Sequence, residues 1–171
     1  MKIFKHVLVS IFSCVILIGC GGKEEKKKEG FSYEKQTSES QENTVDENYT
    51  NIVISANDLM KFDKTELKVK AGKKVKLTLR HIGKLDVKIM GHNFVLLKKG
   101  TNLAMFGNKA AIANETEYIP ADSQDVIVHT KLIGGGETTS IEFDSPEPGE
   151  YEFLCSFPGH YSMMKGKFIV E

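Results

Sequence analysis

Three kinds of metal-ligating side chain lie close together near the end of the chain. The segment 155–164 reads CSFPGHYSMM, and it contains the thiol of Cys155, the imidazole of His160 and the thioether of Met164. A Pro-Gly pair between two predicted strands indicates a tight turn, which can bring the three side chains to one point. Thiolate, imidazole and a weak axial thioether are the ligand types of a blue-copper electron-transfer site, which also needs a second histidine. His92, directly before the apolar run 94–97, is the candidate.

The cysteine count supports a metal-bound or reactive thiol. The chain has 171 residues and three cysteines. Cys14 and Cys20 belong to the N-terminal segment, so Cys155 is the single cysteine of the folded part, and an internal disulfide is not expected. A lone thiol in an oxidising compartment is prone to unwanted oxidation or pairing unless its sulfur binds a metal or serves in catalysis.

The N-terminus predicts export and lipid anchoring. Residues 1–19 read as a signal peptide, because Lys2 and Lys5 precede an apolar run, 7–18, that is too short to span a bilayer. The run ends in LIGC, which resembles the bacterial lipobox, so we expect Cys20 to carry lipid that anchors the protein at the periplasmic face of the cell envelope. The uncharged Gly21 favours the outer membrane where there are two membranes. An ordinary cleaved signal is the alternative.

Composition divides the rest of the chain into a tether and one domain. Residues 20–50 contain few apolar side chains and cannot bury enough surface to offset the entropy of ordering, so we predict a disordered tether that begins with the lipidated cysteine. Residues 51–171 suit one domain. The chain carries 23 basic and 23 acidic residues, and a net charge of zero gives no indication of nucleic-acid binding.

The domain is patterned as an all-β protein. Residues 75–79 and 140–143 alternate between apolar and polar side chains. Further candidate strands at 67–69, 126–128, 151–155 and 167–170 are short, and Gly and Pro turns punctuate the series. Short strands with such turns predict a β-sandwich or barrel. The segment 100–117 is richer in Ala and Asn, and we expect one short helical insertion there.

The motifs together resemble the azurins. The loop from Cys155 to His160, with Met164 after it, resembles the azurin ligand loop, and Met90-Gly91-His92-Asn93 resembles the family's other ligand motif. Segments 57–62 and 129–134 resemble azurin sequence outside the copper site, so the resemblance covers nearly all of 51–171. It implies a Greek-key cupredoxin fold and one copper per chain, cycling between Cu(II) and Cu(I), in a protein that is not an enzyme.

The resemblance also implies a role for individual residues. Cys155, His92 and His160 would form a trigonal plane around copper, with Met164 as one weak axial ligand and the Gly91 carbonyl as a distant second. The residues expected to support the ligand loops are Asn93, Ser156 and Phe157. The surface expected to dock redox proteins, such as small cytochromes or reductases, comprises Leu85, Met90, Phe157, Pro158 and His160. A monomer is expected.

The sequence departs from the azurin pattern at two places. Neither Thr50 nor the Gly72-Lys73 turn supplies a cysteine for the family's disulfide, and such a cross-link typically contributes about 2–4 kcal/mol. Phe94 stands where the family has a buried tryptophan.

Several alternatives remain open at this stage. His81 is either a structural histidine or one whose protonation is linked to the redox state, His129 is expected at the surface, and Met163 is expected to pack while Met164 ligates. An envelope copper chaperone or store would use the same soft ligands. A thiol enzyme with Cys155 as nucleophile and His160 as base is a third possibility, without an accompanying orienting motif. Zinc can also occupy such ligands.

Overall fold

The computed structural model describes residues 49–171, and within that range nine strands form two sheets. The strands are β1 (Tyr49–Asn57), β2 (Lys61–Phe62), β3 (Glu66–Val69), β4 (Lys74–His81), β5 (Val95–Leu97), β6 (Val126–His129), β7 (Thr138–Asp144), β8 (Gly149–Leu154) and β9 (Lys165–Val170). One sheet has the order β2-β1-β4-β7, and the other has the order β3-β9-β8-β5-β6. The prediction of a two-sheet, all-β domain is confirmed.

The first sheet is organised around a long parallel pair. β1 runs parallel to β4 from the pair Tyr49–Lys74 to the pair Ala56–His81, and β4 pairs antiparallel with β7. The pairing already includes Tyr49 and Thr50, so the sheet begins two residues before the boundary predicted at 50/51. The predictions for the signal peptide, for lipid on Cys20 and for the rest of the tether lie outside the described residues.

The sheets bury their facing side chains by period-two alternation. Val75, Leu77 and Leu79 of β4 are fully buried and their neighbours along the strand face outward. Ile54 of β1 and Phe168 of β9 join the same core. Because these strand faces are apolar, the main core lies between the two sheets.

β5 is different because both of its faces are covered. Leu96 packs in the main core, whereas Val95 and Leu97 pack in a second cluster with Phe106 and Ala110 of helix α2 (Leu103–Ala110). This explains the uninterrupted apolar run of β5. The helix lies inside the segment 100–117, where a short helical insertion was predicted, and that prediction is confirmed.

Short helical turns lead into the ligand loops. The helix α1 (Val87–Met90) begins at Asp86, whose Oδ1 accepts the N–H of Lys88 at 2.9 Å, and it was not predicted. Two 3₁₀ turns span Asn114–Thr116 and His160–Ser162. Within the described part of the chain, no helix is long and apolar enough to cross a membrane.

The absent tryptophan is replaced by a packed aromatic ring. Phe94 is fully buried, and its ring centroid lies 5.0 Å from that of Phe153. Its backbone N–H donates to Thr130 Oγ1 at 2.9 Å. The position therefore keeps an apolar ring that is packed in the core.

Candidate metal centre

The expected ligands are supplied by two loops at one end of the sandwich. His92 lies between α1 and β5, and its backbone pairs with Ile133 in both directions at 2.9 Å. Cys155 directly follows β8, and its N–H donates to the carbonyl of Met164 at 2.9 Å, which closes the second loop. Within that loop, the N–H of Met164 donates to the carbonyl of His160 at 2.8 Å. Backbone hydrogen bonds therefore fix both loops.

The ligand atoms converge. Cys155 Sγ lies 3.8 Å from His92 Nδ1 and 3.6 Å from His160 Nδ1, and the three ligand atoms all lie within 4.8 Å of one another. Among the described residues this is the one group of His, Cys, Asp or Glu side chains close enough to hold a metal ion. Met164 is fully buried in the same loop, whereas Met163 is 54% exposed. The Gly91 carbonyl lies 3.9 Å from Cys155 Sγ, so the predicted distant ligand also faces the sulfur.

Hydrogen bonding and packing orient the Nδ1 atom of each imidazole toward the sulfur of Cys155. His92 Nε2 lies 3.0 Å from the carbonyl of Asn57, and because a carbonyl can only accept, Nε2 carries the proton and Nδ1 keeps its lone pair. The ring of His160 packs against Phe157 at 4.7 Å and against His92 at 5.0 Å. These contacts within the protein orient both rings.

Gly91 is required by the space between the two loops. A Cβ atom at this position would lie 2.6 Å from the carbonyl oxygen of Val87 and 2.9 Å from the ring of Phe157. Both distances are shorter than van der Waals contact, and the first neighbour is backbone that cannot easily move. A glycine before His92 therefore allows the loops to approach closely.

Burial sets the protonation of the metal-free site. Burial lowers the pKa values of His92 and His160 to about 4, so both imidazoles are neutral at pH 7. Burial raises the pKa of the Cys155 thiol to about 12, although the backbone N–H groups of Asn93 and Phe157 favour the thiolate. A metal cation needs neutral imidazoles and a thiolate, so only one proton, that of Cys155, has to be displaced. This donor set fits a soft, copper-type ion.

Asn93 joins the two ligand loops. The N–H of Ser156 donates to Asn93 Oδ1 at 2.9 Å, and Asn93 Nδ2 donates to Ser156 Oγ at 2.8 Å. Both residues are buried. Since Asn93 follows His92 and Ser156 follows Cys155, this pair couples the positions of two ligands.

The other two histidines of the domain lie outside the ligand cluster. His81 is buried and stacks on His92 with a centroid distance of 4.4 Å, and its ring nitrogens contact the N–H of Gly83 at 3.1 Å and the carbonyl of Met90 at 2.9 Å. These contacts satisfy the ring structurally, and a redox link of His81 stays a prediction. His129 lies on β6 and is exposed, as expected.

The residues predicted to dock partners differ in accessibility. Leu85 is 38% exposed, and Met90 and Pro158 are partly exposed. Phe157 and His160 are buried, and only 3% of His160 is accessible, so the latter contributes at most an edge to the surface.

Two contributors to the centre gave no sequence signal. The carbonyl of Asn57 holds His92, and the backbone of Ile133 pairs with it, but a backbone group can be supplied by almost any residue type. Only the pairing of the strands reveals them.

Comparison with known proteins places this geometry in context. Residues 48–171 match the family model of copper-binding proteins of the plastocyanin/azurin family. Azurin-1 of Alcaligenes xylosoxydans xylosoxydans is 44% identical over 117 residues, which cover 66% of this chain and 91% of that protein. Outer membrane protein H.8 of Neisseria meningitidis serogroup B is 40% identical over 117 residues, covering 67% of this chain and 63% of that protein. The reduced auracyanin of Roseiflexus castenholzii superposes with a TM-score of 0.65 at 33% identity, covering 71% of this chain and 97% of the other.

Proposed function

This chain belongs to the plastocyanin/azurin family of copper-binding proteins, and we propose that it carries single electrons between redox proteins at the cell envelope. The family consists of blue-copper electron-transfer proteins. In this proposal the chain is an electron carrier and not an enzyme, because the Cys155 thiol is fully buried and is not accessible to a substrate.

The observation that carries the proposal is the convergence of three buried ligand atoms. Cys155 Sγ and the Nδ1 atoms of His92 and His160 lie within 4.8 Å of one another, and the thioether of Met164 is buried in the same loop. Copper bound there would supply the one-electron chemistry of the Cu(II)/Cu(I) couple. The chain itself excludes water and fixes the ligands, so little rearrangement would accompany a change of charge.

Rigid ligand loops favour an electron carrier over a chaperone. His92 is held by the Asn57 carbonyl, and the Asn93–Ser156 pair joins the loops of His92 and Cys155. A copper chaperone has to release its metal to a partner, which requires accessible or mobile ligands. Four buried ligand side chains oppose rapid release.

Copper loading tests the proposal. We expect the purified domain to bind one equivalent of Cu(II) and to develop an intense visible thiolate-to-copper band, which ascorbate bleaches and an oxidant restores. Cys155→Ser should lack the band, and Met163→Leu, which changes the exposed neighbour of Met164, should keep it. A colourless protein that holds Cu(I) against oxidants and passes it to a Cu(I) chelator would instead support the chaperone or storage function.

The proposal includes export and a lipid anchor on Cys20. The support is the N-terminal sequence, with its basic start, short apolar run and LIGC motif, together with the similarity to a relative that is named as an outer membrane protein. We expect the full chain to fractionate with membranes and Cys20→Ala to be released into the soluble fraction. Equal membrane association of both chains would contradict lipidation.

The proposal also includes docking of redox partners at the accessible apolar residues near the ligand loops. The Asp58 carboxylate holds Leu85 in this position. Its Oδ2 accepts the N–H of Lys84 at 2.8 Å, and its Oδ1 accepts the N–H of Leu85 at 3.3 Å. We expect Leu85→Glu to slow reduction by a small cytochrome without changing the visible band. Val53→Glu, at a similarly exposed apolar position in the middle of β1, is the matched control. Equal rates for both variants would place docking elsewhere.

A further inference from the structure

Two consecutive residues with left-handed backbone conformation lie beside the metal centre. Glu117 has φ +53° and Tyr118 has φ +62°, directly after the 3₁₀ turn Asn114–Thr116. This region suits glycine at the end of a helical turn, and a residue with a Cβ atom is disfavoured there. Backbone strain of this kind persists where surrounding contacts over-determine it, often at functional sites.

Glu117 contacts the loop of His92 from two sides. Its carbonyl accepts a hydrogen bond from Asn93 Nδ2 at 3.3 Å, and its carboxylate Oε2 accepts the N–H of Leu132 at 3.1 Å. Asn93 directly follows His92 in the chain. Leu132 directly precedes Ile133, whose backbone pairs with His92 in both directions.

These contacts close a ring around the ligand. The ring runs from Glu117 through Asn93 to His92, then through Ile133 and Leu132 back to the Glu117 carboxylate. Two contacts that close a ring restrain the His92 loop more than either contact alone. Each contact reduces the range of loop motion that remains for the other to restrict.

The neighbouring tyrosine reaches the other ligand loop. The ring of Tyr118 meets the ring of Phe157 edge to face, with centroids 5.1 Å apart and an angle of 70°. Phe157 in turn packs against the ligand His160 at 4.7 Å. The left-handed pair therefore lies against both loops that carry the metal ligands.

We propose that Glu117 is a positioning residue of the copper site, whose carboxylate holds the loop of His92 through Leu132 and thereby slows metal loss. The inference rests on the copper-binding function proposed above and assigns a determinant of its kinetic stability. Glu117 touches neither the ligand atoms nor a metal, so its effect is transmitted through the backbone of residues 132–133 and through Asn93.

Two substitutions isolate the carboxylate. Glu117→Ala removes it but keeps a Cβ atom at the same φ, so the backbone strain is unchanged. Glu117→Gln removes the charge but keeps an oxygen that can accept the Leu132 N–H. Glu115→Ala is the matched control, because Glu115 is an exposed glutamate of the preceding turn and no hydrogen bond or ion pair of its side chain is seen among the described residues.

The first measurement is the rate of copper loss from the loaded protein to excess chelator, with the visible band recorded in parallel. From the usual net contribution of one hydrogen bond we expect Glu117→Ala to lose copper about threefold to tenfold faster. We expect Glu117→Gln to stay within about twofold of the unsubstituted chain, because the acceptor is kept. Glu115→Ala should be unchanged.

The second measurement needs no metal. Amide hydrogen exchange of the metal-free protein should show Leu132 less protected in Glu117→Ala, by about threefold to tenfold, and unaltered in Glu115→Ala. Glu117→Ala that matches Glu115→Ala in both measurements would overturn the proposal. So would a loss of unfolding free energy with an unchanged rate of copper loss, because that result indicates a purely structural residue. An unsubstituted chain that forms no blue site would refute the proposed function, whereas the Leu132 measurement would still report on the contact.

Discussion

Acid should destabilise the metal-free protein through its two buried ligand histidines. The pKa values of His92 and His160 lie at about 4 in the folded protein, chiefly because of burial, whereas an unfolded chain titrates near the ordinary value of 6.5. Between these values the unfolded state binds protons that the folded state does not. The free energy of unfolding is therefore complete above about pH 6.5 and falls as the pH decreases toward 4.

The magnitude follows from the size of the shift. The difference between 6.5 and about 4, at about 1.36 kcal/mol per pKa unit, corresponds to about 3 kcal/mol for each histidine by pH 4. The two contributions add to about 6 kcal/mol. The rings lie 5.0 Å apart, and repulsion between two protonated rings would further disfavour proton uptake by the folded state, so this coupling does not reduce the loss. Such a loss is a large part of the stability of a typical domain, about 5–15 kcal/mol.

This loss is measured by urea unfolding of the metal-free domain at pH 7 and at pH 4. The unfolding is followed by circular dichroism, because the chain has no tryptophan for fluorescence. His160→Gln should roughly halve it, since one of the two depressed groups is removed. His129→Gln, at an exposed histidine on β6, should leave it unchanged. An unfolding free energy that stays constant or increases from pH 7 to pH 4 would refute the reasoning.

Three further substitutions test the packing and the hydrogen bonds around the centre. Phe94→Ala should lower the free energy of unfolding in urea by about 3–5 kcal/mol, because the ring is fully buried; a loss below about 1 kcal/mol would contradict its role in the core. Asn93→Ala should cost about 1–3 kcal/mol for each buried group of Ser156 that is left without its partner, and unaltered stability with an unaltered visible band would argue against the link between the loops. Tyr151→Phe removes the 2.6 Å hydrogen bond from the Tyr151 hydroxyl to the Glu147 carbonyl and should cost about 1 kcal/mol in the same assay.

Much of the ligand set was predictable because three of its side chains lie in one ten-residue segment. The residue types and the spacing of Cys155, His160 and Met164 indicate metal ligation. The structure brings Cys155 and His160 together with His92. The alternating pattern of β4 was equally clear, because one of its faces is buried and the other is not.

The elements that escaped prediction lack a local signal. In β1 the exposed Val53 lies between the buried Ile52 and Ile54, so the apolar run hides the alternation. The helix α1 is four residues long, which is too short to show a helical period. The role of Glu117 depends on Asn93 and Leu132, which are distant in the chain, so only the folded structure reveals it.

A redox titration of the copper-loaded domain tests the central proposal most directly. We predict that the visible band disappears after the addition of one electron per chain and returns fully on reoxidation, over repeated cycles and without release of copper. Copper that leaves on reduction, or a band that does not return, would contradict the function of a one-electron carrier.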